Sequence, residues 1–114
     1  MVTMMAGARL DPREVTLAVI AKAPLPGAVK TRLCPPCTHE EAAAIAEAAL
    51  CDTLDAVAAA AVGRRAIVLE GRPGPWTPAA FDLLAQRGDS LDERLAAAFT
   101  DVGGPTVIIG MDTP

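Results

Sequence analysis

The sequence predicts an α/β fold with a mainly parallel sheet and flanking helices. Three short apolar runs, at residues 15–21, 66–70 and 106–109, have the length and the β-branched content of buried strands. Segments with helical apolar spacing separate these runs, and loops rich in Gly and Pro join the elements. An alternation of strands and helices is typical of a parallel sheet, because each crossover helix covers a face of that sheet.

The first strand is predicted to lie in the centre of the sheet. Residues 15–21 are continuously apolar, as expected for a strand that is covered on both faces. Pro24 and Pro26 end this strand, and Pro26-Gly27 predicts a turn. Residues 1–14 show no periodicity and are predicted to form a flexible leader, so the domain is expected to occupy residues 15–114.

A long helix is predicted from His39 to about Val62. Thr38 and Glu41 have the spacing of a capping box, in which each side chain satisfies a backbone N–H of the other residue. Gly63 is predicted to end the helix. Apolar residues at three- and four-residue spacing predict the buried face, which comprises Ala43, Ala46, Leu50, Leu54, Val57 and Ala61.

Two more helices are predicted before the last strand. Thr77-Pro78 resembles an N-cap followed by proline in the first turn, which predicts a helix over residues 77–86 that Gly88 closes. Ser90 is the predicted N-cap of a helix over residues 91–102. The strand at residues 106–109 then ends near Asp112, and we expect the chain to be truncated at Pro114, because a parallel sheet needs both faces covered.

The composition excludes several classes of function. The chain has 114 residues and a formal net charge of -4, which argues against general binding to nucleic acid. Its three cysteines, in a sequence without a secretory leader, favour a reducing compartment and a cytoplasmic protein. Glu47, Asp52 and Asp55 make the Ala-rich helix unsuitable as a membrane span. A homo-oligomer is left open.

The strongest chemical signal is a cationic loop at the end of the first strand. Lys22, Lys30 and Arg32 lie in this loop, and Asp112 follows the third strand. The carboxyl ends of parallel strands share one edge of the sheet, where ligands of open α/β folds bind. Lysine and arginine suit a diphosphate, and a carboxylate suits Mg²⁺ or Mn²⁺ bridged to phosphates. The competing interpretations are a solvated basic turn and an aspartate that caps a turn.

Cys34 and Cys37 permit two other interpretations. A pair of cysteines two residues apart before a helix is typical of a thioredoxin-like redox site, since a helix N-terminus lowers the pKa of a thiol. A zinc site would need Cys51 or His39 as further ligands. The long loop between the first strand and this pair argues against redox chemistry.

Four blocks of the sequence carry a resemblance to a known family. They are AKAPLPGAVKTRL at residues 21–33, CDTLDAV at 51–57, QRGDSLDERLAAAF at 86–99 and VIIGMDTP at 107–114. The chain resembles a bacterial family of glycosyltransferase-like proteins, which is similar to the GT-A type of nucleotide-diphospho-sugar transferases. Its cationic loop is also similar to that of phospholactate guanylyltransferases.

This resemblance implies a nucleotide site and a metal site. It implies that the nucleotide contacts Lys22, Pro26, Gly27, Lys30, Arg32, Asp89 and Arg94. It implies that Asp112 binds Mg²⁺ or Mn²⁺, and that Asp112, Lys30 and Arg32 act in catalysis. Residues 15–114 would then be the nucleotide-binding part of a GT-A-like domain.

Three functions follow as hypotheses. The first is a metal-dependent transferase that uses a nucleotide-diphospho sugar, with catalysis by positioning and by stabilisation of the leaving diphosphate. The second is a nucleotidyltransferase, which would release pyrophosphate from a nucleoside triphosphate. The third is a non-catalytic binding module or an inactive fragment.

Overall fold

The computed structural model describes residues 2–5 and 11–111. Within them the chain forms five strands and two α-helices. In chain order these are β1 (Val2–Met5), β2 (Thr16–Lys22), α1 (His39–Ala59), β3 (Arg64–Glu70), β4 (Asp82–Ala85), α2 (Leu91–Val102) and β5 (Thr106–Gly110). The α/β class predicted from the sequence is therefore confirmed.

The five strands form one sheet in the order β1-β5-β2-β3-β4. Strands β5, β2, β3 and β4 run parallel to one another, and β1 pairs antiparallel with β5. Strand β2 lies in the centre, as predicted. The leader predicted over residues 1–14 contains regular structure, because Val2–Met5 is a strand and Pro12–Glu14 is a short 3-10 turn.

The two faces of the sheet carry separate cores, since alternate residues of a strand point to opposite faces. One core joins Val19 and Ile67 of the sheet to Leu50 and Leu54 of α1. The other joins Ala18, Val68 and Ile108 to α2 through Ala98 and Val102. The central strands are therefore covered on both sides, which accounts for their continuous apolar sequences.

Helix α1 begins as the sequence predicts. The Thr38 hydroxyl accepts a hydrogen bond from the Glu41 N–H at 3.0 Å, and the Glu41 carboxylate accepts one from the Thr38 N–H at 2.9 Å. The hydrogen bond from the Thr38 N–H to the carboxylate lowers the pKa of Glu41, because it favours the ionised form. The buried face contains the predicted apolar residues except Ala61, together with Ala42 and Thr53, which were not predicted.

The predicted end of this helix is wrong by about one turn. Helix α1 stops at Ala59, and Ala61 lies exposed beyond it. The Arg65 side chain reaches back from β3 and donates to the Val57 and Ala60 carbonyl oxygens, at 3.0 and 2.6 Å. The Val57 carbonyl also accepts from the Ala60 N–H at 3.1 Å, so Arg65 adds side-chain donors to the carbonyl groups of the last turn. Ala60 is therefore the C-cap, supported by a residue from the next strand, and Gly63 does not end the helix.

The helix predicted over residues 77–86 is also wrong, because this segment contains β4. Thr77 does not cap a helix; its hydroxyl accepts from the Gly74 N–H upstream at 3.1 Å. Phe81 is buried in the core beneath α1, and the residues after it pair in parallel with β3. The edge of β3 offers backbone partners that a local N-cap signal does not reveal, so tertiary pairing outweighs local propensity.

Helix α2 and strand β5 agree with the prediction. The Ser90 hydroxyl accepts from the Glu93 N–H at 3.1 Å and caps α2. Gly103 ends this helix, and β5 follows at Thr106. Neither α1 nor α2 has the length and apolar composition needed to cross a membrane.

The packing of α1 on the sheet predicts a large cost for truncating Leu54. Leu54 is 1% exposed, so Leu54→Ala removes buried apolar atoms and leaves a cavity. We expect the free energy of unfolding to fall by about 2–5 kcal/mol in urea denaturation, with an unchanged m-value. Ile45→Ala is the control, because Ile45 lies on the same helix and is 45% exposed. An equal loss in both variants would contradict this account of the core.

Candidate functional site

A crevice forms where the order of the strands reverses. The chain proceeds from β2 to β3 and β4 on one side, and β5 then returns to the other side of β2. The segments that leave β2 and β5 therefore separate at the carboxyl edge of the sheet. Such a switch point is the usual ligand-binding position in open α/β sheets.

A tight turn shapes the loop that follows β2. The Ala28 N–H donates to the Leu25 carbonyl oxygen at 3.0 Å, with Pro26 and Gly27 between them. Gly27 has a φ of 80°, as the third position of a type II turn requires. A side chain at Gly27 would also approach His39 Nδ1 to 3.3 Å. Pro26 and Gly27 thus form the turn predicted from the sequence and pack it beside the start of α1.

The next part of the loop is anchored on α1. Val29 is buried against Ala43 and Ala46 of this helix. Lys30 follows in the left-handed conformation, with φ 49° and ψ 33°. This conformation is costly for a residue with a side chain, and strained backbone of this kind concentrates at functional sites. The anchor holds Lys30 beside the crevice.

Lys22 and Lys30 line one pocket of about 220 Å³, which we call the lysine pocket. They are the only two lysines in the sequence. The other described residues that line the pocket are uncharged, and they are Ala28, Val29, Ala46 and Met111. Two lysines in this part of the lining make the pocket suited to an anion.

Met111 joins the end of β5 to both β2 and α1. The Lys22 N–H donates to the Met111 sulfur at 3.3 Å. The buried Thr53 hydroxyl lies 2.8 Å from the Met111 carbonyl oxygen and 3.0 Å from that of Ala49. A hydroxyl has one proton to donate, so these two carbonyl groups share it. The contacts fix the chain immediately before Asp112.

A second depression, of about 350 Å³, shares Lys22 and Met111 with the lysine pocket, and we call it the central cleft. Its charged and amide side chains are Lys22, Glu70, Gln86, Asp89 and Arg94. Among the described residues, two cations and two carboxylates line it, so the formal charges of this part of the lining cancel. The described lining of the central cleft thus contains carboxylates beside its cations, whereas that of the lysine pocket contains two lysines.

Glu70 connects the two cations of the central cleft. One carboxylate oxygen lies 3.5 Å from Lys22 Nζ, and the other lies 3.1 Å from an Arg94 guanidinium nitrogen. Glu70 ends β3 opposite Lys22, and its carbonyl oxygen accepts from the Ala23 N–H at 2.8 Å. The sheet thus fixes the backbone of Glu70, from which the carboxylate reaches both cations.

Backbone contacts position the other side of the central cleft. Arg94 Nε donates to the Gly88 carbonyl oxygen at 3.1 Å. Gln86 Nε2 donates to the carbonyl oxygens of Ala21 and Val68, at 2.6 and 3.2 Å. The segment between β4 and α2 is therefore tied to both β2 and β3.

The structure brings three of the predicted site residues together in the central cleft, namely Lys22, Asp89 and Arg94. Lys22 and Lys30 meet in the lysine pocket. Among the residues that line these two sites, Pro26, Gly27 and Arg32 do not occur; Arg32 is exposed on a 3-10 turn, Thr31–Leu33. Asp112 lies outside the described residues.

Sequence reasoning missed Glu70, Gln86 and Met111. Glu70 ends a buried strand, so the rule that drew attention to Lys22 and Asp112 could also have found it. Gln86 falls in the helix predicted over residues 77–86, which conceals its position directly after β4. Met111 lies in the segment 107–114 that resembles the family, but its sulfur contact has no signal in the sequence.

The described residues do not form a metal site by themselves. No group of three or more His, Cys, Asp or Glu side chains in this part of the chain lies close enough to hold an ion. Both oxygens of Glu70 already face cations. The expectation of Mg²⁺ or Mn²⁺ therefore depends on Asp112 together with phosphate oxygens of a ligand.

Cys34, Cys37 and Cys51 are free thiols. Cys34 and Cys37 lie between the 3-10 turn and α1, partly exposed, and their N–H groups donate to Thr31 and Leu33. Partial burial in α1 raises the pKa of Cys51, and the neighbouring carboxylates add to this rise. Cys51 is consequently a weak nucleophile at neutral pH.

Comparisons with known proteins place the chain in a family. Residues 42–114, more than half of the chain, match the model of a family described as "Uncharacterized protein conserved in bacteria (DUF2064)". The chain belongs to this family. No curated protein matches it.

A solved structure has the same fold. It comes from Desulfovibrio desulfuricans G20 and is described as a "putative nucleotide-diphospho-sugar transferase". The two proteins share 26% sequence identity with a TM-score of 0.75, over 89% of this chain. The match covers 49% of the other protein, so this chain spans about half of its length. The similarity supports the nucleotide-diphospho-sugar transferase-like class predicted from the sequence.

The contact between Gly88 and Arg94 predicts that Gly88→Ala destabilises the start of α2. Gly88 has a φ of 111°, and an added Cβ would lie 2.8 Å from Glu93 Cβ and 3.0 Å from the Arg94 backbone nitrogen. Gly104 also has a positive φ, but an added Cβ there meets nothing within 4 Å. We expect Gly88→Ala to lower the free energy of unfolding by about 1–3 kcal/mol more than Gly104→Ala. Equal losses in chemical denaturation would contradict the predicted clash.

Proposed function

We propose that this chain is the nucleotide-binding part of a transferase of GT-A type that uses a nucleotide-diphospho sugar. The observation that carries the proposal is the convergence of Lys22 and Lys30 in one pocket at the switch point of the sheet. Family membership and the similarity to the Desulfovibrio protein support it.

The lysine pocket is the proposed diphosphate site. A diphosphate carries several anionic oxygens, and each ammonium group offers three donors that can rotate toward them. Lys22 stands at the end of β2 and Lys30 is held from the opposite side by the anchor at Val29. Arg32 follows Lys30 on the exposed turn and adds to the local positive charge.

The proposed chemistry needs no covalent nucleophile from the protein. An acceptor hydroxyl attacks the anomeric carbon of the sugar and releases its proton to solvent water, and the bond from that carbon to the diphosphate oxygen breaks. The electron pair leaves with the nucleoside diphosphate. Lys22 and Lys30 would stabilise the negative charge that develops on this leaving group, and preorganised charges of this kind are an effective source of catalysis.

We further propose that a divalent cation accompanies the ligand. Mg²⁺ commonly binds one or two carboxylates together with the phosphates of a substrate, and Asp112 is the candidate carboxylate. When bound, Mg²⁺ or Mn²⁺ would supply positive charge to the diphosphate. Lys30 and Arg32 would share this role.

The proposed diphosphate site predicts that both lysines contribute to nucleotide binding. Lys22→Ala and Lys30→Gly should each raise the Kd for nucleoside diphosphates by about tenfold or more, since each removes a charge-assisted contact. Glycine tolerates the positive φ at position 30, so the shape of the loop is retained. Titration calorimetry with UDP, GDP, ADP and CDP measures the effect.

Arg64→Ala is the control for the loss of one positive charge. Arg64 lies at the amino end of β3, where it forms an exposed ion pair with Asp82. We expect this variant to bind as the unmodified protein does. Equal weakening in all three variants would indicate a general charge effect and would contradict a lysine site.

The proposed metal site predicts that Mn²⁺ strengthens the binding of sugar nucleotides. Thermal shifts with sugar nucleotides should increase when Mn²⁺ is added, because the metal lowers the Kd of the ligand and a tighter ligand stabilises the native state more. A ligand at one hundred times its Kd stabilises by about 2.7 kcal/mol. Asp112→Asn should remove the increase due to Mn²⁺ and leave the metal-free shift in place. A Mn²⁺ increase that persists in Asp112→Asn would contradict the role of Asp112.

The products of turnover distinguish sugar transfer from nucleotidyl transfer. Release of a nucleoside diphosphate from a sugar nucleotide supports the proposal. Release of pyrophosphate from a nucleoside triphosphate would replace it with the nucleotidyltransferase hypothesis.

A further inference from the structure

We infer that the central cleft binds a hydroxyl-bearing part of the ligand, with the Glu70 carboxylate as its hydrogen-bond acceptor. The inference rests on the proposed function and assigns a role to the cleft beside the lysine pocket. Its basis is the described lining of the central cleft, where the Glu70 carboxylate lies between Lys22 and Arg94 and Asp89 lines the same space.

A phosphate fits the central cleft poorly. Glu70 and Asp89 both line it, and Glu70 lies between Lys22 and Arg94. A phosphate group has acceptor oxygens only, so placing one between these cations would bring it against the Glu70 carboxylate. The backbone of Glu70 is fixed at this position, because β3 pairs with β2 there. The repulsion between two anions disfavours this arrangement.

A hydroxyl group fits both kinds of side chain in the central cleft. It can accept a hydrogen bond from Arg94 or Lys22 and donate its own proton to Glu70 or Asp89. A carboxylate has about four lone-pair sites on its two oxygens, so Glu70 retains capacity beyond its two cations. Its side chain is 35% exposed, which leaves it accessible to a ligand.

Gln86 adds a further acceptor. Its NH₂ group has two protons, and the carbonyl oxygens of Ala21 and Val68 accept from it. The amide oxygen is the remaining polar atom of a side chain that lines the cleft. Acceptors from Glu70, Gln86 and Asp89 thus surround a space that also contains the donors of Arg94 and Lys22.

Two parts of a sugar nucleotide carry this chemistry, namely the ribose diol and the transferred sugar. The lysine pocket is adjacent to the central cleft through Lys22 and Met111, so either part could enter the cleft while the diphosphate occupies the pocket. Carboxylates at strand ends bind ribose hydroxyls in dinucleotide-binding α/β folds. Titrations with matched probes distinguish the ribose from the transferred sugar.

Glu70→Gln tests the inference because it removes the charge and keeps the size of the side chain. The probes are inorganic pyrophosphate, the nucleoside diphosphate that binds best among UDP, GDP, ADP and CDP, its 2′-deoxy form and its glucose or mannose derivative. We expect Kd for the hydroxyl-bearing probe to rise by about tenfold, since a hydrogen bond to a charged acceptor becomes one to a neutral acceptor. Kd for pyrophosphate should stay the same or fall, because a neighbouring negative charge is removed.

The pattern across the probes identifies the bound group. If the ribose occupies the cleft, Glu70→Gln weakens the diphosphate and its sugar derivative equally. It then spares the 2′-deoxy form where the 2′-hydroxyl is the donor to Glu70, and weakens that form as well where the 3′-hydroxyl is the donor. If the transferred sugar occupies it, only the sugar derivative is weakened. Asp89→Asn should weaken the same probes, and it is the second variant in case Glu70→Gln disturbs folding.

Two results would overturn the inference while leaving the proposed function in place. One is a change within about twofold for every nucleotide probe in both variants. The other is an equal weakening of pyrophosphate, which would mean that Glu70 only positions Lys22 and Arg94. If no probe binds to the unmodified protein, the proposed function fails first. Glu14→Gln is the control, because Glu14 lies before the amino end of β2, at the opposite edge of the sheet.

Discussion

The return of β5 to the far side of β2 is the constraint on which the candidate site depends. It separates the two segments that leave these strands and opens the crevice between them. Met111 spans this separation, with its sulfur on the Lys22 N–H and its carbonyl group near the Thr53 hydroxyl. The end of β5, the cationic loop and α1 are therefore held in one arrangement, and the position of Lys22 follows from it.

The distribution of charge follows from where strands end. Lys22 and Glu70 are the last residues of paired parallel strands, so the register of the sheet places an ammonium group beside a carboxylate. Arg94 joins Glu70 from α2, whereas Lys30 approaches from the loop on the other side. An acidic chain can in this way contain a pocket with two lysines next to a cleft whose described lining has as many carboxylates as cations. A ligand with an anionic part and a hydroxyl-bearing part matches that division.

Much of the fold is encoded in local signals that the sequence displays. The capping box at Thr38 and Glu41, the N-cap at Ser90 and the apolar run of β2 each act over a few residues, and each prediction holds. The failures involve distant contacts. Arg65 ends α1 from the following strand, and the edge of β3 converts the segment after Thr77 into β4. Neither effect is visible until the sheet is assembled.

The same distinction applies to the site. Lys22 and Lys30 could be predicted because a strand followed by a cationic loop is a local pattern. Glu70 ends a strand that the sequence predicts, whereas the position of Gln86 depends on β4 as a neighbour of β3, which the incorrect helix conceals. Gln86 follows β4 directly and bonds to both β2 and β3, while Gly88 then accepts from Arg94. The strand that sequence reasoning missed is thus the element that places Arg94 opposite Lys22. An error in one secondary-structure element therefore conceals the place of Gln86 in the cleft, although the sequence identifies Lys22 and Arg94.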